Sequence, residues 1–139
     1  MKVLLTSTPS DSHTWNLVYM QMLIQEMGHE VVNLGACTPL EEIEAGLHKH
    51  RPDAVVVSTV NGHGVMEGMK ISGRLNESKP GQSVIKLIGG KLDTTGAPSG
   101  EQIHALRESG FDGVFIGDEA LTEFMAFMNV RSESYRQAS

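Results

Sequence analysis

Five short runs of aliphatic and β-branched residues, at positions 2–7, 30–34, 53–58, 83–88 and 112–116, recur along the chain with longer amphipathic stretches between them. Their apolar content is continuous rather than alternating, as in Val55-Val56-Val57 and in Val84-Ile85 followed by Leu87-Ile88. A strand of that kind has to be buried on both faces, which is the condition inside a parallel sheet covered by helices. This alternation constrains the fold more than any other feature of the sequence.

The intervening stretches read as helices. Between Thr14 and Met27, the residues Leu17, Met20, Leu23, Ile24 and Met27 recur at spacings of three and four, and Gly28 stands at the expected C-terminal cap. Thr38-Pro39-Leu40-Glu41 has the form of a capping box with proline at the first helical position, opening a helix to about Lys49. A third helix is expected over 65–78, although Gly68 and Gly73 interrupt its pattern. Ser99-Gly100-Glu101-Gln102 opens a fourth that stops at Gly110, and a fifth covers about 119–128. Residues 129–139 read as a polar, frayed tail.

Strand followed by helix five times, with short links, predicts an α/β fold: a doubly wound, five-stranded parallel sheet of flavodoxin-like order 2-1-3-4-5. There is no internal repeat, low-complexity stretch or domain boundary, so 139 residues are read as one domain with a short tail. With 11 basic and 17 acidic residues, the formal charge of −6 argues against holding a nucleic-acid backbone by bulk charge. One cysteine, Cys37, excludes an internal disulfide framework and fits a reducing compartment. No apolar run approaches the roughly 20 residues of a membrane span. The opening Met1-Lys2-Val3-Leu4-Leu5 turns polar too early for a signal peptide. A cytoplasmic location without membrane contact is therefore expected.

In such a fold the ligand lies beyond the carboxyl ends of the strands, between the first and third. Three segments fall at that edge. Ser10-Asp11-Ser12-His13-Thr14 follows the first strand, Ser58-Thr59-Val60-Asn61-Gly62-His63-Gly64 follows the third, and Gly89-Gly90-Lys91 follows the fourth. Glycines remove side-chain bulk where an elongated ligand could enter. Asp-x-His suits a metal ligand, since a carboxylate on one ring nitrogen fixes the tautomer and raises the basicity of the other. Each segment also has a plainer reading. A loop histidine beside an aspartate forms ordinary solvated pairs, Gly-Gly makes tight turns, and Ser58 is able to satisfy a neighbouring backbone group.

Other constellations fail. There is no Gly-x-x-x-x-Gly-Lys-Ser/Thr loop and no Gly-x-Gly-x-x-Gly after the first strand. Aromatic residues that would sandwich a flavin are scarce, and a phosphoacceptor aspartate is missing where Ser58 ends the third strand. Cys37 has no neighbouring cysteine for structural zinc, and no base at suggestive spacing for nucleophilic work. His29, His48, His50 and His104 lie on or beside helices and read as surface residues, while the eight methionines read mostly as helix core.

Taken in order, Asp11-Ser12-His13, Ser58-Thr59-Val60 and Gly89-Gly90 resemble the Asp-x-His-x-x-Gly, Ser-x-Leu and Gly-Gly signature of cobalamin-binding domains that take the cofactor with its lower base displaced. The resemblance spans about residues 2–128 and is greatest to the small subunits of the glutamate mutase (methylaspartate mutase) type. Val32-Asn33-Leu34-Gly35, Thr38-Pro39-Leu40-Glu41 and Asn61-Gly62-His63-Gly64 also look like segments of those subunits. It implies a cobalamin-binding domain at 1–128, with His13 as the lower axial cobalt ligand and Asp11 bonded to that histidine. Ser58 and the stretch from Gly62 to Gly64 would line the slot for the displaced nucleotide tail, with Gly89 and Gly90 as its other wall. Ser10, Ser12, Thr14, Thr59, Val60 and Asn61 complete the implied cofactor contacts. The pattern is departed from in three places: Asn16 replaces the motif glycine, Val60 replaces the leucine, and Ile116-Gly117-Asp118 differs from the usual turn.

The implied function is the cofactor-binding component of an adenosylcobalamin-dependent isomerase, converting glutamate to 3-methylaspartate with a separate large subunit built on a (β/α)8 barrel. The chain alone is then expected to be inactive, because 139 residues hold no barrel. Two other classes stay open. A corrinoid methyl carrier would ordinarily have a helical bundle ahead of the sheet, whereas the first strand here starts at Lys2. A non-enzymatic flavodoxin-like module that has lost the cofactor is the other.

Overall fold

In a computed structural model of the chain, residues 1–92 and 97–138 are described. Five parallel strands, β1 (Lys2–Thr6), β2 (Glu30–Asn33), β3 (Ala54–Thr59), β4 (Ile85–Gly90) and β5 (Gly113–Phe115), form one sheet in the order β2-β1-β3-β4-β5. The helices are α1 (Thr14–Glu26), α2 (Leu40–His50), α3 (Gly64–Leu75), α4 (Lys79–Ser83), α5 (Gly100–Ser109) and α6 (Ala120–Ala138). The expected doubly wound, flavodoxin-like sheet is the observed one.

The continuous apolar runs explain the two-sided burial. Successive residues of a strand point to opposite faces, and here both faces find partners. Leu4, Val55, Val57 and Ile88 pack under Ile43 and Leu47 of α2, Ile71 and Leu75 of α3, and Leu106 of α5. Val3, Leu5, Val56 and Leu87 pack under Leu17, Met20 and Ile24 of α1 and Phe124 and Met128 of α6. Each fully buried aliphatic side chain contributes roughly 1.5–3 kcal/mol, so losing either helical layer would strip the sheet of half its support. Phe115 at the end of β5 meets Phe124 and Phe127 edge to face, at 5.7 and 5.9 Å between ring centroids.

Several local expectations are corrected. β4 begins two residues later than its apolar run, because Lys79–Ser83 folds as the short α4, capped by the Ser78 hydroxyl. Gly89 and Gly90 consequently belong to the strand and pair with Ser58 and Thr59 rather than following it. The Thr38 box does not form: Pro39 occupies the cap position, and the Thr38 hydroxyl donates to the Gly35 carbonyl at 2.7 Å. Gly68 does not interrupt α3, since a Cβ there would overlap Ile88 where the helix packs closely on the sheet. The last helix passes Met128 and runs to Ala138, so the polar tail is helical. His29 is buried rather than exposed, its Nδ1 lying 3.1 Å from the terminal ammonium of Met1. Met22, Met66 and Met69 are exposed, while the other five methionines are in or against the core, as read for most of them. No helix among the described residues is long and apolar enough to cross a membrane.

Candidate functional site

The loop from β1 to α1 folds over the carboxyl end of β3. Its turn closes through the Asp11 N–H donating to the Thr8 carbonyl at 3.2 Å, and the Cys37 N–H donates to the Asp11 carbonyl at 2.8 Å from the loop after β2. Asp11 is thereby fully buried. A buried carboxylate is costly unless its oxygens are satisfied, and here both are. Oδ2 accepts from the Thr59 hydroxyl at 2.5 Å and from the Val60 N–H at 2.8 Å. Oδ1 accepts from the His13 N–H at 2.9 Å and meets the His13 Nδ1 at 2.6 Å. Burial pushes the Asp11 carboxyl upward, but the bonds from Thr59, the His13 and Val60 amides and the His13 ring outweigh it and bring it down to about 2.

The orientation of the His13 ring follows. A carboxylate ionised at neutral pH only accepts, so Nδ1 must carry the proton. A ring carrying that single proton presents its lone pair at Nε2, which has no hydrogen-bond partner among the described residues, on a side chain 55% exposed. This is the arrangement by which an outer carboxylate prepares a histidine to bind a metal. Among the described residues no group of three His, Cys, Asp or Glu side chains converges. A single half-exposed histidine nitrogen held by a buried carboxylate fits a metal whose other ligands arrive with it, as in a corrinoid.

Behind the His13 loop lies a cavity of about 200 Å³ between the ends of β3, β4 and β5 and the helices α1 and α6. Ser58, Gly89 and Gly90 line it together with Val56, Leu87 and Phe115. Sequence reading missed the helical wall, which is Asn16, Tyr19 and Met20 of α1 facing Ala120, Leu121 and Phe124 of α6. The i, i+3, i+4 spacing of the α1 set would have identified it. A Cβ on Gly90 would fall on the Thr59 carbonyl oxygen, and one on Gly89 would lie 2.9 Å from the Phe115 carbonyl oxygen, so the strand-end glycines let β4 run flush against its neighbours. Asn16, at the position where the motif has glycine, donates from Nδ2 to the Ser58 hydroxyl at 2.8 Å across the cavity.

The remaining expected residues are placed differently. Gly62 lies with His63, Met66, Met69 and Leu92 along a separate depression on the α3 and α5 side. A Cβ on Gly64 would overlap Leu92 and the Thr59 methyl, so that glycine serves packing. The structure thus brings Ser58, Gly89 and Gly90 to one cavity and leaves Gly62 and Gly64 out of it. Asn61 ties the two loops, donating to the Ser10 hydroxyl at 2.9 Å while accepting from the His63 N–H at 3.0 Å. Ser10, Ser12 and Thr14 are exposed around His13, and Trp15 beside them is 81% exposed.

Known proteins resemble this chain in sequence and in fold. The glutamate mutase sigma subunit of Halobacterium salinarum is 31% identical over 114 residues, covering 81% of this chain and 74% of that one. Glutamate mutase sigma subunit 1 of Haloarcula marismortui is 29% identical over 113 residues, with the same coverages of 81% and 74%. Among solved structures, the monomethylamine corrinoid protein of Methanosarcina barkeri superposes with a TM-score of 0.69 at 21% identity. That match covers 91% of this chain but only 57% of the solved one, so this chain spans little more than half its length. A CheY-like receiver domain of Methanospirillum hungatei superposes equally well, at 0.69 and 16% identity, and the two structures together speak for the fold alone. The B12 binding domain family matches residues 1–124, and with Asp11, His13, Ser58, Gly89 and Gly90 gathered at one sheet edge, the chain belongs to that family.

Proposed function

We propose that the chain is the cofactor-binding component of an adenosylcobalamin-dependent carbon-skeleton mutase of the glutamate mutase type. The observation that carries this reading is the buried Asp11 bonded to Nδ1 of a half-exposed His13, on the loop that leads into α1, whose Asn16 lines an apolar cavity. His13 would offer Nε2 as the lower axial ligand to cobalt. Asp11 would hold the proton on Nδ1 and fix the ring's direction, because its carboxylate is itself held by Thr59 and Val60. The cavity lined by Ser58, Gly89 and Gly90 would receive the nucleotide tail and keep water from it. When bound, the cofactor supplies the radical chemistry of the 1,2-rearrangement. The relatives named glutamate mutase sigma subunits support this class of reaction.

Substrate binding would belong to a separate, larger catalytic subunit with a (β/α)8 barrel, and the isolated chain would be inactive. Trp15, Tyr19 and Met22 recur along one side of α1 and are exposed at 81%, 55% and 57%. They give the rim beside His13 an apolar surface suited to being covered by the corrin and that subunit. The exposed, unpaired Cys37 fits work in a reducing cytoplasm.

A corrinoid methyl carrier is the second reading, favoured by the close fold of the Methanosarcina barkeri corrinoid protein. The experiment loads the chain with cob(II)alamin and records paramagnetic resonance for wild type and His13→Ala. Splitting by one histidine nitrogen in wild type, absent in His13→Ala, is the expected result, and its absence from wild type overturns both readings. With ligation established, formation of 3-methylaspartate from glutamate on adding a large subunit supports the mutase. Methyl transfer in its place overturns it in favour of the carrier.

A further inference from the structure

Methionine ordinarily fills cores, yet Met66 and Met69 on the first turns of α3 are exposed at 60% and 40%. They stand three residues apart, and His63, the exposed N-cap residue of that helix, stands three residues before Met66. Residues at this spacing lie about 5–6 Å apart at Cβ. Helical side chains also tilt toward the N-terminus, so Met69 leans over Met66 and Met66 leans toward His63. All three line one depression of about 410 Å³, with the buried Leu92 and with Gln102 of α5. The backbone carrying them is pinned. The His63 N–H donates to Asn61 Oδ1 at 3.0 Å, the Gly62 N–H to the Lys91 carbonyl at 3.2 Å and the Val65 N–H to the Leu92 carbonyl at 3.3 Å. The His63 ring itself has no hydrogen-bond or charge partner among the described residues.

We propose that His63, Met66 and Met69 form a binding site for one Cu(I) ion, held by an imidazole nitrogen and two thioether sulfurs. Thioethers are soft ligands that select Cu(I), whereas magnesium, calcium and manganese take carboxylate, carbonyl and water oxygens. No carboxylate lines the depression among the described residues, so the donor set is neutral and suits an ion of single charge. The long unbranched methionine side chains let both sulfurs adjust to one ion while the pinned backbone keeps the three residues in register. The site lies on the α3 and α5 side, apart from the cavity between α1 and α6, and stands independently of the cofactor reading.

The test uses the full chain carrying Cys37→Ser, which removes an exposed thiol that would compete for the metal. The methionine methyl groups are isotopically labelled, and Cu(I) is titrated in under ascorbate without oxygen, near neutral pH, with magnetic resonance as the readout. Met22, 57% exposed on α1, is the internal control for indiscriminate thioether binding. The Met66 and Met69 methyl signals and the His63 ring signals are expected to move together and to saturate at one equivalent, while Met22 stays in place. Zn(II) at the same concentration is expected to leave the methionine signals unmoved. Affinity is then read by competition with a coloured Cu(I) chelator. Met66→Leu, Met69→Leu and His63→Gln should each weaken binding about tenfold or more, since even a partner outside the ligand set is worth that much. Leucine keeps the volume of methionine, so the two helix variants remain folded. Met22 moving as far as Met66, His13 responding in place of His63, or Zn(II) moving the methionine signals overturns the inference. Unchanged affinity in both leucine variants overturns it as well.

Discussion

The Thr59 hydroxyl at the end of β3 donates to the Asp11 carboxylate at 2.5 Å, across 48 residues of sequence. That bond joins two segments of the signature into one unit: the strand end supplies donors, the loop supplies the carboxylate, and His13 inherits a fixed orientation. Asp11 is therefore a stability element as well as a positioning one. Its folded carboxyl titrates at about 2 against an ordinary value of 3.8. Because the folded value is depressed, the stabilisation is fully present above the unfolded value and is lost as pH falls through 3.8 toward about 2. The difference corresponds to about 2 kcal/mol. Urea unfolding of wild type against Asp11→Asn should show a wild-type advantage that is flat above about pH 5 and smaller by about 1 kcal/mol at about pH 3. Thr59→Val, which keeps the shape and removes a donor, should move that acid limb to higher pH. An advantage that does not change with pH would contradict this account.

Gly90 has φ +113°, and a Cβ there would fall on the backbone carbonyl oxygen of Thr59, the strand partner on β3. Neither atom belongs to a flexible side chain, so Gly90→Ala must shift the junction of β3 and β4. A loss of at least about 3 kcal/mol is expected, from backbone strain and the clash together. Gly100→Ala is the control, since at the start of α5 nothing lies within 4 Å of its Cβ. It should leave the urea midpoint unchanged or slightly raised. Equal effects of the two substitutions would refute the assignment.

The strand order and the two-sided core were legible because runs such as Val55-Val56-Val57 leave a strand no face for water. The Asp11–His13 pair was legible because two residues of separation let both side chains turn to the same loop edge. The extent of β4 was not: Gly89 and Gly90 look like a turn in isolation, and only the ladder to Ser58 and Thr59 makes them strand. The Asn16–Ser58 bond joins residues 42 apart and is a product of packing α1 on the sheet, which no local pattern encodes. That Gly62 and Gly64 lie apart from the cavity was hidden for the same reason, since the loop after β3 turns toward α3 while the cavity opens toward α1 and α6.

The two Ser/Thr-x-x-Glu/Gln patterns show why a cap motif needs its backbone. At α5 the Ser99 hydroxyl accepts from the Gln102 N–H at 3.2 Å while the Gln102 side chain accepts from the Ser99 N–H at 2.8 Å. At α2 the corresponding Thr38 hydroxyl is already engaged by the Gly35 carbonyl. Ser99→Ala should cost about 1 kcal/mol in urea unfolding, and Ser99→Asp, another strong N-cap, should retain most of that stability. An Ala variant as stable as wild type would mean the box contributes nothing.

Lys86 on β4 is buried, and its Nζ donates to the carbonyls of Gly81 at 2.5 Å and Val84 at 3.3 Å. Burial lowers its ammonium below the usual lysine value of 10.5, and the nearby Asp112 charge only partly restores it. The unfolded chain therefore holds this proton more tightly than the folded one. Stability contributed by this group rises with pH from the folded value up to 10.5 and is level below and above that window. Lys86→Met removes the titration and keeps most of the stem. The stability of wild type minus that of Lys86→Met, measured by urea unfolding from about pH 7 to about pH 10.5, should climb in the upper part of the range. Other titrating groups cancel in that difference, so a flat or falling curve would show that burial does not destabilise the ammonium.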